Sequence, residues 1–158
     1  MSWWVLPTTA DIGIRAFSAD AAGALSEVAL GLQSVQLPSD TKDGMPEVDV
    51  HDEVWEVEVL NGDLERGLVR WLEEVLYRGH EEGQWLVHSK IIIEHDKIRA
   101  DVNWIDSSAV KLGLEVKAVT LHELVLKEIG AGELVIGFNP DIPSFEGPGW
   151  MAQVILDI

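Results

Sequence analysis

Two carboxylates at opposite ends of the chain stand where an acidic side chain could do chemistry. Asp11 follows Pro7-Thr8-Thr9-Ala10 and opens the alternating run Ile12-Gly13-Ile14-Arg15-Ala16-Phe17. Asp157 closes the apolar run Val154-Ile155-Leu156 and is followed by Ile158 with its main-chain carboxylate. A lone Asp at a strand entrance more often closes a turn by accepting local backbone N–H bonds. If the last strand pairs near the first, however, three acidic groups converge, and clustered anionic oxygens are what a hard divalent cation binds. Zinc fits less well, because the chain has no Cys and no His pair at HExxH spacing.

The remaining candidates have plainer readings beside the functional ones. Lys117, on an alternating stretch, could neutralise excess carboxylates or meet a phosphate, but a strand Lys is ordinarily one half of a weak surface ion pair. Arg15 could contact a partner, with a cross-strand pair to Glu or Asp as the simpler account. His122 falls on the opposite strand face from Lys117 and reads as structural. His80, His88 and His95 lie eight and seven positions apart and read as unrelated surface or strand residues. Gly130-Ala131-Gly132 lacks the GxGxxG context of a nucleotide loop. The seven Trp residues read mainly as core anchors, with Trp3 and Trp4 left as candidates for an exposed partner contact.

The composition bounds what these residues can serve. Lys+Arg 11 against Asp+Glu 28 gives a net charge of −17, with none of the basic stripe that a phosphate-binding surface needs. Such acidity favours cations, a basic protein partner, or plain solubility. A hydrophobic share of 47% with 25% charge is that of an ordinary globule, and 158 residues suit a single domain spanning 1–158. The chain opens with no basic n-region and contains no apolar run long enough for a membrane span, so a cytoplasmic location is the default expectation. Without Cys, disulfides and thiolate chemistry are excluded.

The elements that must position the two carboxylates are legible from periodicity. Trp3–Leu6 reads as an edge strand stopped by Pro7. The run Asp11–Phe17 reads as a half-buried strand. Ser18 then caps a helix over 19–34, with Ala21, Leu25, Val28, Ala29 and Leu32 at helical spacing. Pro38 to Pro46 is a loop. Glu47 to Leu60 alternates but changes phase across His51-Asp52-Glu53, which implies a bulge or two short strands. Asp63 caps a second, strongly amphipathic helix carrying Leu64, Leu68, Trp71, Leu72, Val75 and Leu76, with Gly79 at its end. Its charged face, with Glu65, Arg66, Arg70, Glu73 and Glu74, reads as solvated. Trp85–Ile93 and Ile98–Trp104 form a hairpin, Leu114–Lys127 a further strand, Glu133–Phe138 another, and Trp150–Ile158 the last. Two amphipathic helices on a mainly antiparallel β-sheet make an α+β domain.

Taken together these stretches resemble the archease family of small accessory proteins of the RtcB-type RNA-splicing ligase. The resemblance rests on Thr9-Ala10-Asp11-Ile12-Gly13-Ile14-Arg15 and on the helix Asp63-Leu64-Glu65…Trp71-Leu72-Glu73-Glu74-Val75-Leu76-Tyr77. Glu115-Val116-Lys117-Ala118-Val119-Thr120-Leu121-His122 and the terminal Val154-Ile155-Leu156-Asp157-Ile158 complete it. The chain departs from the family at Thr8, where a His is usual, at Leu121, where an aromatic is usual, at Glu123, where a small residue is usual, and in a longer segment from Gly130 to Gly149. The resemblance implies a divalent cation, Ca²⁺ in the family's usual form, held by Asp11, Asp157 and the main-chain carboxylate of Ile158. It also implies a non-enzymatic factor that promotes guanylylation and multiple turnover of the ligase in tRNA splicing or RNA repair. RNA would then be met only through the ligase. Two alternatives stand beside it: a metal-dependent hydrolase working through Asp11 and Asp157 on a bound water, and an acidic interaction module without metal.

Overall fold

The computed structural model describes residues 2–7, 11–39, 47–137 and 139–158. The expected loop over 40–46 and the residues Thr8, Thr9 and Ala10 lie outside them. Two helices and ten strands follow the order β1 (Trp3–Leu6), β2 (Ile12–Ser18), α1 (Ala21–Val35), β3 (His51–Glu58), α2 (Leu64–His80), β4 (Gln84–Ile93) and β5 (Lys97–Asp106). The rest of the chain adds β6 (Ala118–Val119), β7 (Val125–Ile129), β8 (Leu134–Val135), β9 (Phe145–Glu146) and β10 (Gly149–Asp157). Every strand pair is antiparallel. The fold is therefore α+β, as the periodicity implies, but its strands are divided among sheets. One runs β1-β2-β10-β6 with β7 also on β10, a second runs β3-β5-β4, and β8-β9 is a small hairpin.

Both helices pack against both larger sheets, and a single apolar cluster joins the layers. Ile14 and Val154 from the first sheet, Leu25 and Leu32 from α1, Leu68 and Leu72 from α2, and Ile98 from the second sheet are all fully buried within it. Side chains of this size each stabilise by about 1.5–3 kcal/mol when removed from water. Helix α1 comes unusually close to the sheet at Gly31. A Cβ built there would lie 2.8 Å from Ile14 Cγ2 and 3.2 Å from the Trp3 ring, so no larger residue fits without displacement. The Trp71 indole N–H donates to the carbonyl oxygen of Leu25 at 3.1 Å and ties α2 to α1.

Several boundaries differ from expectation for identifiable reasons. Helix α1 is capped by Asp20, whose Oδ1 accepts the Gly23 N–H at 2.7 Å, so Ser18 ends β2 instead. The phase change before Trp55 is not a bulge. β3 starts only at His51 and pairs with β5 in unbroken register, and the irregularity falls in β4 between Leu86 and His88. Gly79 does not end α2: it lies buried against Trp85, and the helix continues to His80. The expected strand over 114–127 divides into β6 and β7 around Glu123, which adopts φ 50°. Both Val116 and Val119 are buried, so strict alternation fails there. The expected strand over 133–138 shortens to β8, and Phe138 lies outside the described residues.

The first sheet is covered on both faces, which corrects the half-buried reading of β2. Gly13, Arg15 and Phe17 are buried as well as Ile14 and Ala16. The long segment between β7 and β10 supplies the second cover. Phe145 stacks on Phe17 with ring centroids 4.5 Å apart, and Ile142 packs with Leu6 and Ile155. Trp3 and Trp4, expected as candidates for solvent, are instead partly buried. Trp3 packs on the main core and Trp4 against Phe17 at 6.0 Å.

Candidate metal centre

β10 runs down the middle of the first sheet, and its end is held on both sides. On one side Leu156 pairs with Ile12 of β2. On the other, Leu156 pairs with Val119 and Asp157 with Ala118 of β6. The Lys117 N–H donates to the Asp157 carbonyl oxygen at 2.8 Å, and both the N–H and the hydroxyl of Thr120 donate to the Ile155 carbonyl oxygen at 3.0 Å. The backbone that carries Asp157 is therefore fixed although its side chain is exposed. Ile158 is half-buried and packs against the main core, which anchors the residue beyond the strand.

Asp11 is exposed and directly precedes Ile12. The β2–β10 register ends at the Ile12–Leu156 pair, and Asp11 and Asp157 are the next residues along the two chain segments. In β10 the strand period puts Asp157 on the side of Ile155, away from the helices. Among the described residues no group of three His, Cys, Asp or Glu side chains could hold a metal. The set formed by Asp11, Asp157 and Ile158 has two such side chains and a main-chain carboxylate. Its all-oxygen, anionic chemistry fits Ca²⁺ and fits zinc poorly.

The other expected residues are placed as follows. Lys117 is exposed beside the end of β10 and, among the described residues, makes no ion pair. Arg15 is buried on the covered face, where a contact with RNA or a partner would first require the covering segment to move. Its Nε and Nη2 donate to Gln153 Oε1 at 3.0 and 2.8 Å, and its Nη1 to the Ile136 carbonyl oxygen at 3.4 Å. Its cross-strand partner in β10 is Gln153, opposite it in the register. Burial lowers the guanidinium pKa from its ordinary value, and Arg stays protonated even so. His122 is exposed after β6, its N–H donating to the Thr120 hydroxyl at 3.2 Å. Thr120, which clamps the end of β10, was legible in the sequence only as part of the alternating stretch that carries the resemblance.

Comparisons with known proteins bear on the family and the fold. The Archease protein family (MTH1598/TM1083) matches residues 3–158. The archease of Thermococcus gammatolerans is 32% identical over 146 residues, covering 89% of this chain and 98% of that protein. The archease of Pyrococcus furiosus is 30% identical over the same length and coverage. The solution structure of Methanobacterium thermoautotrophicum protein 1598 superposes with a TM-score of 0.60 at 23% identity, covering 99% of each chain, and bears on the fold. With the family matched from the first strand to the last residue, this chain belongs to the archease family.

Proposed function

We propose that this protein is a non-enzymatic accessory factor of an RtcB-type RNA-splicing ligase, holding a divalent cation between Asp11, Asp157 and the main-chain carboxylate of Ile158. The observation that carries the reading is the β2–β10 register, which runs out with an acidic residue next along each chain segment. Like charges close together are destabilising, and a shared cation reverses the sign of that interaction. Calcium suits the site because it accepts carboxylate and main-chain oxygens in variable number and leaves positions for water or a partner's oxygen.

The chain's own residues would divide the work. β6 and β2 hold the end of β10 in place, so the donor groups need little ordering when a cation arrives. Lys117, exposed beside them, offers a mobile cation for a phosphate on the partner. A body at −17 repels RNA, which fits contact with RNA only through the ligase. In this reading the acidic tip approaches the ligase's nucleotide site and promotes guanylylation, allowing repeated turnover. The test is multiple-turnover ligation by an RtcB-type ligase with wild-type protein, Asp11→Ala and Asp157→Asn. Stimulation by the wild type and its loss in both variants is expected. Equal stimulation by all three would overturn the reading. Phosphoester turnover by the protein alone, lost in Asp157→Asn, would replace it with a metal-dependent hydrolase.

A further inference from the structure

β3 is one edge of the second sheet, and half of its backbone polar groups point away from that sheet. The phase is fixed at its end, where the Val59 N–H donates to the Asp96 carbonyl oxygen at 2.7 Å, one step beyond the Glu58–Lys97 pair. In an antiparallel ladder the bonded pairs recur at every second residue. His51, Glu53, Trp55 and Val57 therefore bond to β5, and the N–H and C=O groups of Asp52, Val54, Glu56 and Glu58 face outward. Among the described residues nothing hydrogen-bonds to these outward groups.

The opposite edge of the same sheet is closed by α1. On β4 the Ser89 carbonyl oxygen accepts from the Ser26 hydroxyl at 3.1 Å, and the Leu86 carbonyl oxygen accepts from Gln33 Nε2 at 3.2 Å. β1, at the edge of the first sheet, is only four residues long. An open edge of eight residues is a template for another strand, and β3 has none of the proline, lysine or bulge that ordinarily blunts one. Its carboxylates guard it against a second copy instead. Full antiparallel self-pairing would set Asp52 opposite Glu58, and like charges so placed are destabilising. Between Glu47 and Glu58 the chain has six carboxylates and no Lys or Arg. Lys97 pairs with Glu56 and Arg78 reaches Glu53, but among the described residues no cation meets Asp52 or Glu58. Asp52 accepts only from the Asn103 amide, and Val54, between the acidic positions, is 45% exposed.

We propose that β3 takes on a basic, extended segment of a protein partner as a further strand of the second sheet. Main-chain bonds run to Asp52, Val54, Glu56 and Glu58. Lys or Arg side chains of the segment lie beside Asp52 and Glu58, with an apolar side chain on Val54. In strand addition the main chain supplies affinity and alternate side chains supply selectivity. The negative potential of the edge draws a basic segment in and turns acidic ones away. This surface belongs to the second sheet and does not depend on the cation proposed for the first.

The test titrates a blocked Lys-Thr-Lys-Thr-Val-Thr-Lys peptide into isotopically labelled full-length protein. Paired antiparallel, it sets Lys, Lys, Val and Lys against Glu58, Glu56, Val54 and Asp52. In NMR-detected hydrogen exchange the free protein should protect the amides of Glu53, Trp55 and Val57 and leave those of Val54 and Glu56 open. Saturating peptide should slow exchange at Val54 and Glu56 about tenfold or more. The same peptide N-methylated at its second Lys and its Val keeps its charge and loses two main-chain donors, so it should bind about tenfold or more weakly. Val54→Pro removes one outward N–H where an edge strand tolerates proline, and should weaken the unmodified peptide as much. Asp52→Lys/Glu58→Lys, which leaves the backbone alone, should do the same and serves if the proline variant does not fold. Unchanged exchange at Val54 and Glu56, or equal binding of the two peptides, overturns the proposal, as does equal binding by wild type and the folded variants. A dimer of the free protein in analytical ultracentrifugation that Val54→Pro dissolves also overturns it, because a second copy is then the occupant.

Discussion

Ile12 and Leu156 face each other across β2 and β10, and this one pairing decides how the two ends of the chain meet. Both residues project toward the helices and the main core, and Asp11 and Asp157 are the next residues along the two chain segments. A slip of one residue would exchange the residues that face the helices with those under the covering segment along the whole strand. Apolar packing thereby sets the spacing of two carboxylates that contribute nothing to it.

Asp157→Asn is expected to weaken Ca²⁺ binding by about tenfold or more, since it removes an anionic ligand while keeping the side chain's shape. Because Asp157 is exposed and its backbone bonds are untouched, the metal-free melting temperature should not fall below that of the wild type. Calorimetric titration beside thermal unfolding measures both.

Residues appended after Ile158 convert its carboxylate to an amide linkage and leave the core intact. Ca²⁺ affinity should fall in such an extended protein, with the far-ultraviolet circular dichroism unchanged. Unaltered affinity would remove Ile158 from the donor set.

Gly31→Ala tests the close approach of α1 to the sheet. The added methyl meets Ile14 and the Trp3 ring, and overpacking of this kind costs about 1–3 kcal/mol. On an exposed helix face the same change would instead stabilise by about 1 kcal/mol. The sign of the change in urea midpoint therefore distinguishes the two situations.

Trp71→Phe removes the indole N–H that reaches Leu25 and leaves a buried carbonyl oxygen without it. A loss of about 1–3 kcal/mol is expected, separable by the same unfolding measurement from the larger loss that Leu68→Ala should cause, about 2–5 kcal/mol.

The carboxyl of Asp106 should titrate below the ordinary Asp value, because the Ser108 backbone N–H donates to it at 2.9 Å. A folded-state pKa below the unfolded one means the contribution is complete above the unfolded value and is lost as pH falls through the folded value. Carbon-detected NMR titration of this carboxyl, with a pKa no lower than the ordinary one, would contradict the assigned cap.

The helices were more legible in the sequence than the sheets. Asp11 stood out as the entrance to an alternating run and Asp157 as the end of an apolar one, and α2 was legible because its apolar stripe is continuous from Leu64 to Leu76. The assignments failed where tertiary contacts replace local periodicity. β2 reads as half-buried because Gly13 and Arg15 are not apolar, yet a segment some 120 residues away covers them, as the Arg15–Ile136 contact spans 121 positions. The stretch after Leu114 alternates in residue type, but Glu123 turns the backbone and lets Val116 and Val119 both go inward. Gly79 has the composition of a helix terminus and is used for packing against Trp85. The charged face of α2 is exposed at Glu65, Arg66, Arg70 and Glu73, as its pattern implied.

The placement of β10 in the middle of its sheet has a kinetic consequence. β3, α2, β4 and β5 are consecutive in sequence and can associate through short loops, whereas Arg15 meets Gln153 only after 138 positions have been brought into a closed ring. Closing so long a loop carries a large entropic cost before any pairing offsets it, and distant pairings of this kind slow folding. The half of the molecule that bears the two carboxylates should therefore be the last to gain protection in pulsed hydrogen exchange, and a partly folded chain would have nothing with which to hold an ion.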